Sequence, residues 1–295
     1  MLDNSFAEWG LDCGRLFGIR IKIHWSFFVF VLFCVLRADD MQTEALFLTV
    51  LFGTVLIHEF GHCFGARHFG LNPDKILLWP FGGLAYVGSG RSAREDFWIT
   101  FFGPFVHIPI ALMAGAWLVW QGATIAFVPH LLSPLVALGG PHGVAGMVIS
   151  TIFAVQVWLF SFNVFLPAYP MDGGRMLVAL TLNKLGPLKA SGLAMITTLL
   201  SAVFLLTQSD SFIGFWLLME AAMLYQWRQT GQIYSHPSFG HSGRPMYTSQ
   251  PRSKPKASKS KQVSHLRLVE SKQCPQCGRS LPTSAKMCGF CEISV

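Results

Sequence analysis

The amino-acid sequence predicts an all-α polytopic membrane protein with about six transmembrane helices, a short membrane-associated β segment and a small C-terminal module. Hydrophobic residues make up 52% of the 295 residues, and charged residues make up only 13%. The mean hydropathy of +0.46 is also far from that of a soluble domain. The apolar residues fall into separate runs, several of which are long enough to cross a bilayer as helices.

The first predicted elements are a strand and a short span. Residues 18–25 alternate apolar and polar positions, as a strand does, and residues 26–36 form the first apolar run. Residues 45–66 form the second span, whose last third carries the pattern His-Glu-x-x-His at His58, Glu59 and His62.

In a helix, His58 and His62 lie one turn apart on the same face, so their imidazoles can hold one metal ion. Zinc held by two histidines and a carboxylate keeps a position for water, whose proton Glu59 can accept. The alternative is a set of ordinary polar residues on a soluble helix, but the preceding residues are nearly all apolar. An ionisable group in a span costs about 2.5–3.5 kcal/mol, so these three need a compensating reason such as a metal.

The middle of the chain predicts two more spans. Residues 75–88 are broken by proline and glycines and predict a strand or bent hairpin. Residues 97–120 and 143–166 contain no Asp, Glu, Lys or Arg, and at about 1.5 Å per residue each exceeds the roughly 30 Å of bilayer hydrocarbon. Residues 124–138 are apolar but carry Pro129 and Pro134, so we interpret them as a loop or re-entrant segment.

Asp172 follows the fourth span in a stretch that two prolines and two glycines interrupt. Irregular backbone at membrane depth is tolerated only where protein buries it or where it lines a watery cavity. Asp172 is therefore our candidate for the third zinc ligand, and capping a helix that starts at Gly173 would be compatible with ligation.

Residues 191–209 and 211–226 predict the fifth and sixth spans as a tight pair. Six spans place nearly all lysines and arginines near span ends on one side, which indicates that both termini are cytoplasmic. We expect a multi-pass protein of the bacterial inner membrane. The residues on that side are Arg15, Arg20, Lys22, Arg67, Lys75, Arg91, Arg94, Arg175, Lys184, Lys189 and those of the tail, against Arg37 on the other.

Four motifs in residues 18–180 resemble the site-2 protease family of intramembrane zinc metalloproteases, which act on transmembrane segments inside the bilayer. The motifs are Ile57 to His62, Pro80 to Ala85, Phe102-Gly103-Pro104 and Pro167 to Arg175. The resemblance implies that His58, His62 and Asp172 bind the catalytic zinc and that Glu59 is the general base. It also implies that Gly82 and Gly83 belong to a membrane-associated strand that could pair with an unwound substrate.

Two positions depart from the family pattern. His107 stands where the family usually has an asparagine, and Asn163 lies four residues before Pro167, whereas the family asparagine lies three before it. Both positions are candidates for holding the substrate or the oxyanion. For His107 we favour a helix-packing role, and we keep Asn163 as a candidate substrate-binding residue.

The C-terminal part predicts two further units after a transmembrane metalloprotease domain of residues 1–228. Residues 229–272 form a flexible basic linker, rich in Ser, Pro, Gly, Lys and Gln. Together with Arg228 they carry nine Lys and Arg against one acid, which is more than the whole net charge of +7. Short basic stretches beside spans more often set topology or contact anionic lipid, so we do not expect a nucleic-acid partner.

Residues 273–295 predict a zinc ribbon. Two C-x-x-C pairs separated by ten residues have ligand spacing for one structural zinc, at Cys274, Cys277, Cys288 and Cys291. A pair of disulfides is the alternative, which a cytoplasmic location disfavours. We expect the ribbon to dock a protein partner.

The sequence as a whole predicts an intramembrane zinc metalloprotease with one catalytic and one structural zinc. Its substrates would be transmembrane segments or signal peptides in the lipid bilayer. One alternative is a catalytically silent scaffold that recruits partners through the ribbon, but a structural zinc site would not need Glu59. Another is a transporter or metal-handling membrane protein, which would carry ionisable residues along several spans, whereas four of the six predicted spans contain no Asp, Glu, Lys or Arg.

Overall fold

The computed structural model describes residues 10–88, 90, 92–128, 135–207, 211–234, 236, 238–239, 271–273 and 280–282. These residues are mainly helical. The helices are α1 Trp25–Arg37, α2 Met41–His68, α3 Ala93–Phe105, α4 His107–Trp120, α5 Val144–Phe165, α6 Asp172–Thr207 and α7 Ser211–Gln229, followed by a single 3-10 turn at Gln232–Tyr234.

Four helical segments of the described residues are long and apolar enough to cross a membrane: α2, α3 together with α4, α5, and α6. The second, third and fourth predicted spans lie in the first three of these segments. α6 covers the fifth predicted span as far as Thr207 but starts much earlier, at Asp172, and kinks at Gly186, where φ is +72°. α1 has only 13 residues, and α7 covers the sixth predicted span with 19 residues. A total of six spans stays a prediction.

The third span is two helices and not the single helix that its apolar run predicts. α3 ends at Phe105 and α4 begins at His107, with Val106 between them. Pro104 and Pro109 lie on either side of this point, and each lacks the amide hydrogen that a continuous helix uses. The interruption lies beside the candidate site, to which α4 contributes its first residue.

A four-stranded sheet stands beside α2. Its strands are β1 Gly10–Leu16, β2 Ile19–His24, β3 Lys75–Trp79 and β4 Gly82–Ala85, in that order. β2 and β3 are parallel, and the two outer pairs are antiparallel. The strand predicted at residues 18–25 and the hairpin predicted at residues 75–88 are both present. β1 was not predicted, because its glycines interrupt the apolar alternation.

The described residues of the range 124–138 include two paired strands, and not the predicted loop or re-entrant segment. β5 Thr124–Phe127 pairs with β6 Leu135–Leu138 in antiparallel register, with Ile125 opposite Ala137. Both predicted helix breakers, Pro129 and Pro134, lie outside the described residues. The four-residue apolar runs on either side of these prolines pair as strands.

α2 lies at the centre of the main core cluster. Its buried residues Phe60, Cys63 and Ala66 pack with residues from the sheet and from α5. Gly61 and Gly65 let α3 approach closely: a Cβ at Gly61 would lie 2.4 Å from the carbonyl oxygen of Phe102. Small residues at such crossings are typical of membrane helices. This packing fixes α2 against α3, α5 and the sheet.

Two short strands near the C-terminus pair with each other. β7 Ser271–Gln273 is antiparallel to β8 Ser280–Pro282, with Gln273 opposite Ser280. Cys274 and Cys277 fall in the connection between these strands, and all four ribbon cysteines lie outside the described residues. The zinc ribbon, the linker and the boundaries at residues 228 and 272 therefore stay predictions.

Candidate metal centre

The side chains of His58, His62 and Asp172 meet at one buried point. The two Nε2 atoms are 3.0 Å apart, and Oδ2 of Asp172 lies 3.0 Å from Nε2 of His58 and 3.3 Å from Nε2 of His62. Each of the three residues is 7% exposed or less. The structure thus brings together the three residues that the sequence analysis proposed as ligands.

The loop between α5 and α6 positions Asp172. The hydroxyl of Thr198 on α6 accepts a hydrogen bond of 2.8 Å from the backbone N–H of Tyr169 in this loop. A Cβ at Gly173 would lie 2.3 Å from the carbonyl oxygen of Leu166, and one at Gly174 would lie 2.4 Å from the backbone of Ala168. The two glycines therefore allow the chain to fold back tightly and begin α6 with Asp172 facing α2.

These three residues fit a zinc ion. Oδ2 of Asp172 is buried and has no hydrogen-bond partner, although two imidazole nitrogens lie within 3.3 Å. The backbone carbonyl of Ile99, 3.0 Å from Nδ1 of His62, can only accept, so Nδ1 carries the hydrogen and Nε2 keeps a lone pair. Two atoms about 2.0–2.1 Å from one tetrahedral zinc are about 3.3–3.4 Å apart, close to the observed separations.

The space around the ligands depends on glycine. A Cβ at Gly103 on α3 would lie 2.2 Å from Cε1 of His62 and 2.3 Å from its Nε2. Only a residue without a side chain lets α3 pass at this distance. The Phe-Gly-Pro motif therefore has a direct role in shaping the cluster.

Glu59 lies between α2 and the edge of the sheet. Its side chain is 7% exposed, and a Cβ at Gly83 would lie 2.3 Å from its Cγ and 2.8 Å from its Oε1. Gly83 belongs to β4, which pairs only with β3 among the described strands. Gly82 has a φ of +130° and open space where a Cβ would be. The glycine strand and the candidate base are thus immediate neighbours.

Replacing Gly83 with alanine is expected to lower cleavage of a membrane substrate by about 10²-fold without changing zinc content, because the methyl group would displace Glu59. Gly53→Ala is the matched control: Gly53 is on the same helix as Glu59, and a Cβ there meets nothing within 4 Å. Zinc per chain and cleavage rate would be measured for both variants. Wild-type cleavage by Gly83→Ala would contradict the placement of Glu59 against β4.

Three polar residues, His107, Gln156 and Thr54, form a chain of hydrogen bonds that begins at Nδ1 of His58. Nδ1 of His58 is 3.0 Å from Nε2 of His107, whose Nδ1 is 2.6 Å from Oε1 of Gln156. Nε2 of Gln156 donates to the hydroxyl of Thr54 over 3.0 Å. The sequence analysis missed this network: it favoured a packing role for His107 and did not single out Gln156 or Thr54. A glutamine in a span without charged residues was the available signal.

The amide nitrogen of Asn163 forms a hydrogen bond within its own helix. Its Nδ2 donates to the carbonyl oxygen of Leu159 on its own helix, over 2.9 Å. This hydrogen bond uses the amide nitrogen of Asn163, and the amide oxygen is the atom that could accept from a substrate. A substrate-binding role for Asn163 stays a prediction.

A small polar cavity lies on the Arg175 side of the cluster. Nη1 of Arg175 is 3.8 Å from Oδ1 of Asp172, and the arginine side chain is 34% exposed. The cavity, of about 20 Å³, is lined by Arg175, Asp96, Thr100 and Ser238, among others. A space of this size can hold a water molecule.

Three described residues after α7, His236, Ser238 and Phe239, contact Tyr169 in the α5–α6 loop. His236 and Phe239 are buried, and the Ser238 hydroxyl is 3.1 Å from the Tyr169 hydroxyl. Burial lowers the pKa of His236 to about 4, so its ring is neutral at neutral pH. These three residues therefore pack on the α5–α6 loop through apolar and neutral polar contacts.

Comparisons with known proteins agree with this geometry. The sequence profile described as Peptidase family M50 matches residues 46–206. A zinc metalloprotease of Methanocaldococcus jannaschii is 29% identical over 185 residues, which are 61% of this chain and 48% of that protein. The protein Rip3 of Mycobacterium tuberculosis is 26% identical over 184 residues, 57% of this chain and 43% of Rip3. The chain thus spans about half the length of these relatives.

One solved structure has a similar fold. It is described as the site-2 protease from Methanocaldococcus jannaschii, and it matches with a TM-score of 0.50 and 24% sequence identity. The match covers 75% of this chain and 94% of that one. This likeness supports the arrangement of helices and sheet.

Proposed function

The chain belongs to peptidase family M50, whose profile matches more than half of it, and from this membership we propose that it is an intramembrane zinc metalloprotease. It would hydrolyse peptide bonds in or near transmembrane segments of membrane-protein substrates. The observation that carries the proposal is the convergence of His58, His62 and Asp172 next to Glu59 among apolar helices. The scaffold alternative is weaker, because a structural zinc would not require a buried carboxylate beside its ligands.

His58, His62 and Asp172 would hold the catalytic zinc. Bound zinc supplies Lewis acidity, which lowers the pKa of water toward neutrality and polarises a peptide carbonyl. Glu59 would accept the proton of the attacking water and deliver it to the nitrogen of the leaving amine. The burial of Glu59 next to the cluster supports this role.

The substrate would lie along β4. A transmembrane helix must unwind before its backbone can be attacked, and an unwound segment needs partners for its N–H and C=O groups. The outer edge of β4, at Gly82 and Gly83, could supply them. Gly82 leaves open space for the substrate backbone, and Gly83 makes room for Glu59 beside it. Transmembrane segments and signal peptides are the proposed substrates. Asn163 is a further candidate for contacting them.

We also propose the orientation in the membrane. Six spans with both termini in the cytoplasm agree with the distribution of lysine and arginine, and a bacterial inner membrane is the proposed location. Water would reach the site from the cytoplasmic side. The polar cavity at Arg175, beside Asp172, supports this route.

The C-terminal cysteines are proposed to bind a second, structural zinc. Cys274 and Cys277 fall between the paired strands β7 and β8, which is a suitable setting for the first half of a ribbon. Cys288 and Cys291 would complete the site. The ribbon would serve as a docking module for a protein partner and not as a second catalytic site.

The proposal is tested with purified protein in detergent and a panel of single-span substrates labelled at both ends. We expect cleavage within or near the transmembrane segment, loss of cleavage on treatment with 1,10-phenanthroline, and recovery on addition of zinc. Mass spectrometry of the fragments locates the cut. Cleavage that persists after zinc has been removed, with the metal content verified, would contradict a zinc protease.

A further inference from the structure

The hydrogen-bond network behind His58 extends through three helices. Thr54 and His58 are on α2, His107 begins α4, and Gln156 is on α5. Thr54, His107 and Gln156 are 4%, 0% and 2% exposed, so the network is sealed from solvent. We call these three residues the support network. Buried polar groups among apolar helices are costly unless they are hydrogen-bonded, and here each one has a partner.

The direction of the hydrogen bonds determines the tautomer of His58. A neutral imidazole has one donor nitrogen and one acceptor nitrogen. With Oε1 of Gln156 facing His107, Nδ1 of His107 donates, so its Nε2 accepts from Nδ1 of His58. His58 then has a lone pair on Nε2, the atom that faces Asp172.

The reversed network would prevent metal binding. If the amide of Gln156 were turned over, its nitrogen would donate to His107, and His107 would donate to His58. Nε2 of His58 would then carry a hydrogen and could not be a ligand. In the structure the amide oxygen of Gln156 faces His107 and its nitrogen faces the hydroxyl of Thr54, which is the productive direction.

His58 and His62 differ in the kind of group that determines their tautomer. Nδ1 of His62 faces the backbone carbonyl of Ile99, which has no donor form, so the tautomer of His62 is fixed by the fold. Nδ1 of His58 faces His107, which can be either donor or acceptor. The ring of His107 also stacks on that of His58, with centroids 5.1 Å apart, so its position limits the ring orientation of His58.

We propose that Thr54, Gln156 and His107 are positioning residues that fix the tautomer and ring orientation of His58 for zinc. The inference rests on the proposed function, since it concerns the same zinc site. Partners of this kind, hydrogen-bonded to a ligating histidine, typically change metal affinity by about 10–100-fold when they are removed. Gln156 is the decisive member, because its amide sets the direction of the network.

The test measures zinc affinity in the full-length protein with the four ribbon cysteines replaced by serine, so that only the His58 site is measured. Chelator competition would be applied to this protein, to Gln156→Leu and to Gln156→Glu. The leucine removes the acceptor for His107, whereas an ionised glutamate keeps an acceptor at that position. Ser161→Ala, a buried polar change on the same helix, is the control for altered packing.

We expect Gln156→Leu to weaken zinc binding about 10–100-fold. The zinc affinities of Gln156→Glu and Ser161→Ala should stay within about threefold of that of the protein that keeps Gln156 and Ser161. Equal affinities for the leucine and glutamate variants, whether both unchanged or both weakened, would overturn the proposal. Absence of zinc from the protein that keeps Gln156 would instead overturn the proposed function.

A second measurement uses protein in which no residue of the support network is replaced. Nitrogen-15 NMR of histidine-labelled protein without zinc distinguishes imidazoles protonated at Nδ1 from those protonated at Nε2. We expect His107 and His58 both to carry hydrogen on Nδ1. Hydrogen on Nε2 of His107 would overturn the proposal even if Gln156→Leu does not fold.

Discussion

Replacing Glu59 with glutamine is expected to lower the cleavage rate by about 10²–10⁴-fold while zinc content stays unchanged, because the glutamine amide cannot accept a proton. The change preserves the size of a side chain that lies against Gly83, so the helix and strand should keep their positions. Single-turnover cleavage in detergent and zinc per chain measure the two effects.

The control for this variant is Glu44→Gln, in the first turn of the same helix and far along the sequence from the cluster. It should cleave like the wild type. Unchanged turnover by Glu59→Gln would remove Glu59 from the role of general base, whereas loss of zinc from it would mean that Glu59 supports the metal.

Replacing Asp172 with asparagine is expected to remove both zinc and activity. The change neutralises the one anionic group among the three proposed ligands, at a site where Oδ2 faces two imidazole nitrogens. Loss of a ligand should exceed the roughly 10–100-fold effect of removing an outer partner. Zinc per chain should fall by one, and cleavage should fall below detection.

Asp39→Asn, at an exposed position just before α2, is the control for a changed charge. It should bind zinc and cleave as the wild type does. An Asp172→Asn variant that kept its zinc and its activity would show that the third ligand lies elsewhere.

The metal cluster could be predicted from the sequence because each part of it has a local cause. The His-x-x-x-His spacing in a helix places His58 and His62 on one face whatever surrounds them. Asp172 is the first carboxylate after the fourth predicted span, in a stretch whose prolines and glycines interrupt a continuous helix. The structure brings all three together.

The support network could not be predicted, because it depends on three helices meeting. His107 and Gln156 are 49 residues apart, and Gln156 and Thr54 are 102 residues apart, with no local pattern linking them. The close approaches at Gly83 and Gly103 are also non-local. The glycines can be seen in the sequence, but only the folded chain shows that Glu59 and His62 are their neighbours.

The fold could be predicted where a long apolar run determines a helix. The prediction was less accurate where prolines or short apolar runs determine the local backbone. The helices at Met41–His68 and Val144–Phe165 follow their apolar runs closely. Prolines divide the third span at Val106, and apolar runs of four residues at 124–127 and 135–138 pair as strands. Such short runs do not distinguish a strand from a loop by periodicity alone.

The most direct test of the account is zinc per chain in the full-length protein whose four ribbon cysteines are serine, with and without Asp172→Asn. The account predicts one zinc per chain in the protein that keeps Asp172 and none in the Asp172→Asn variant. No zinc in the protein that keeps Asp172 would contradict the central claim that His58, His62 and Asp172 hold a metal.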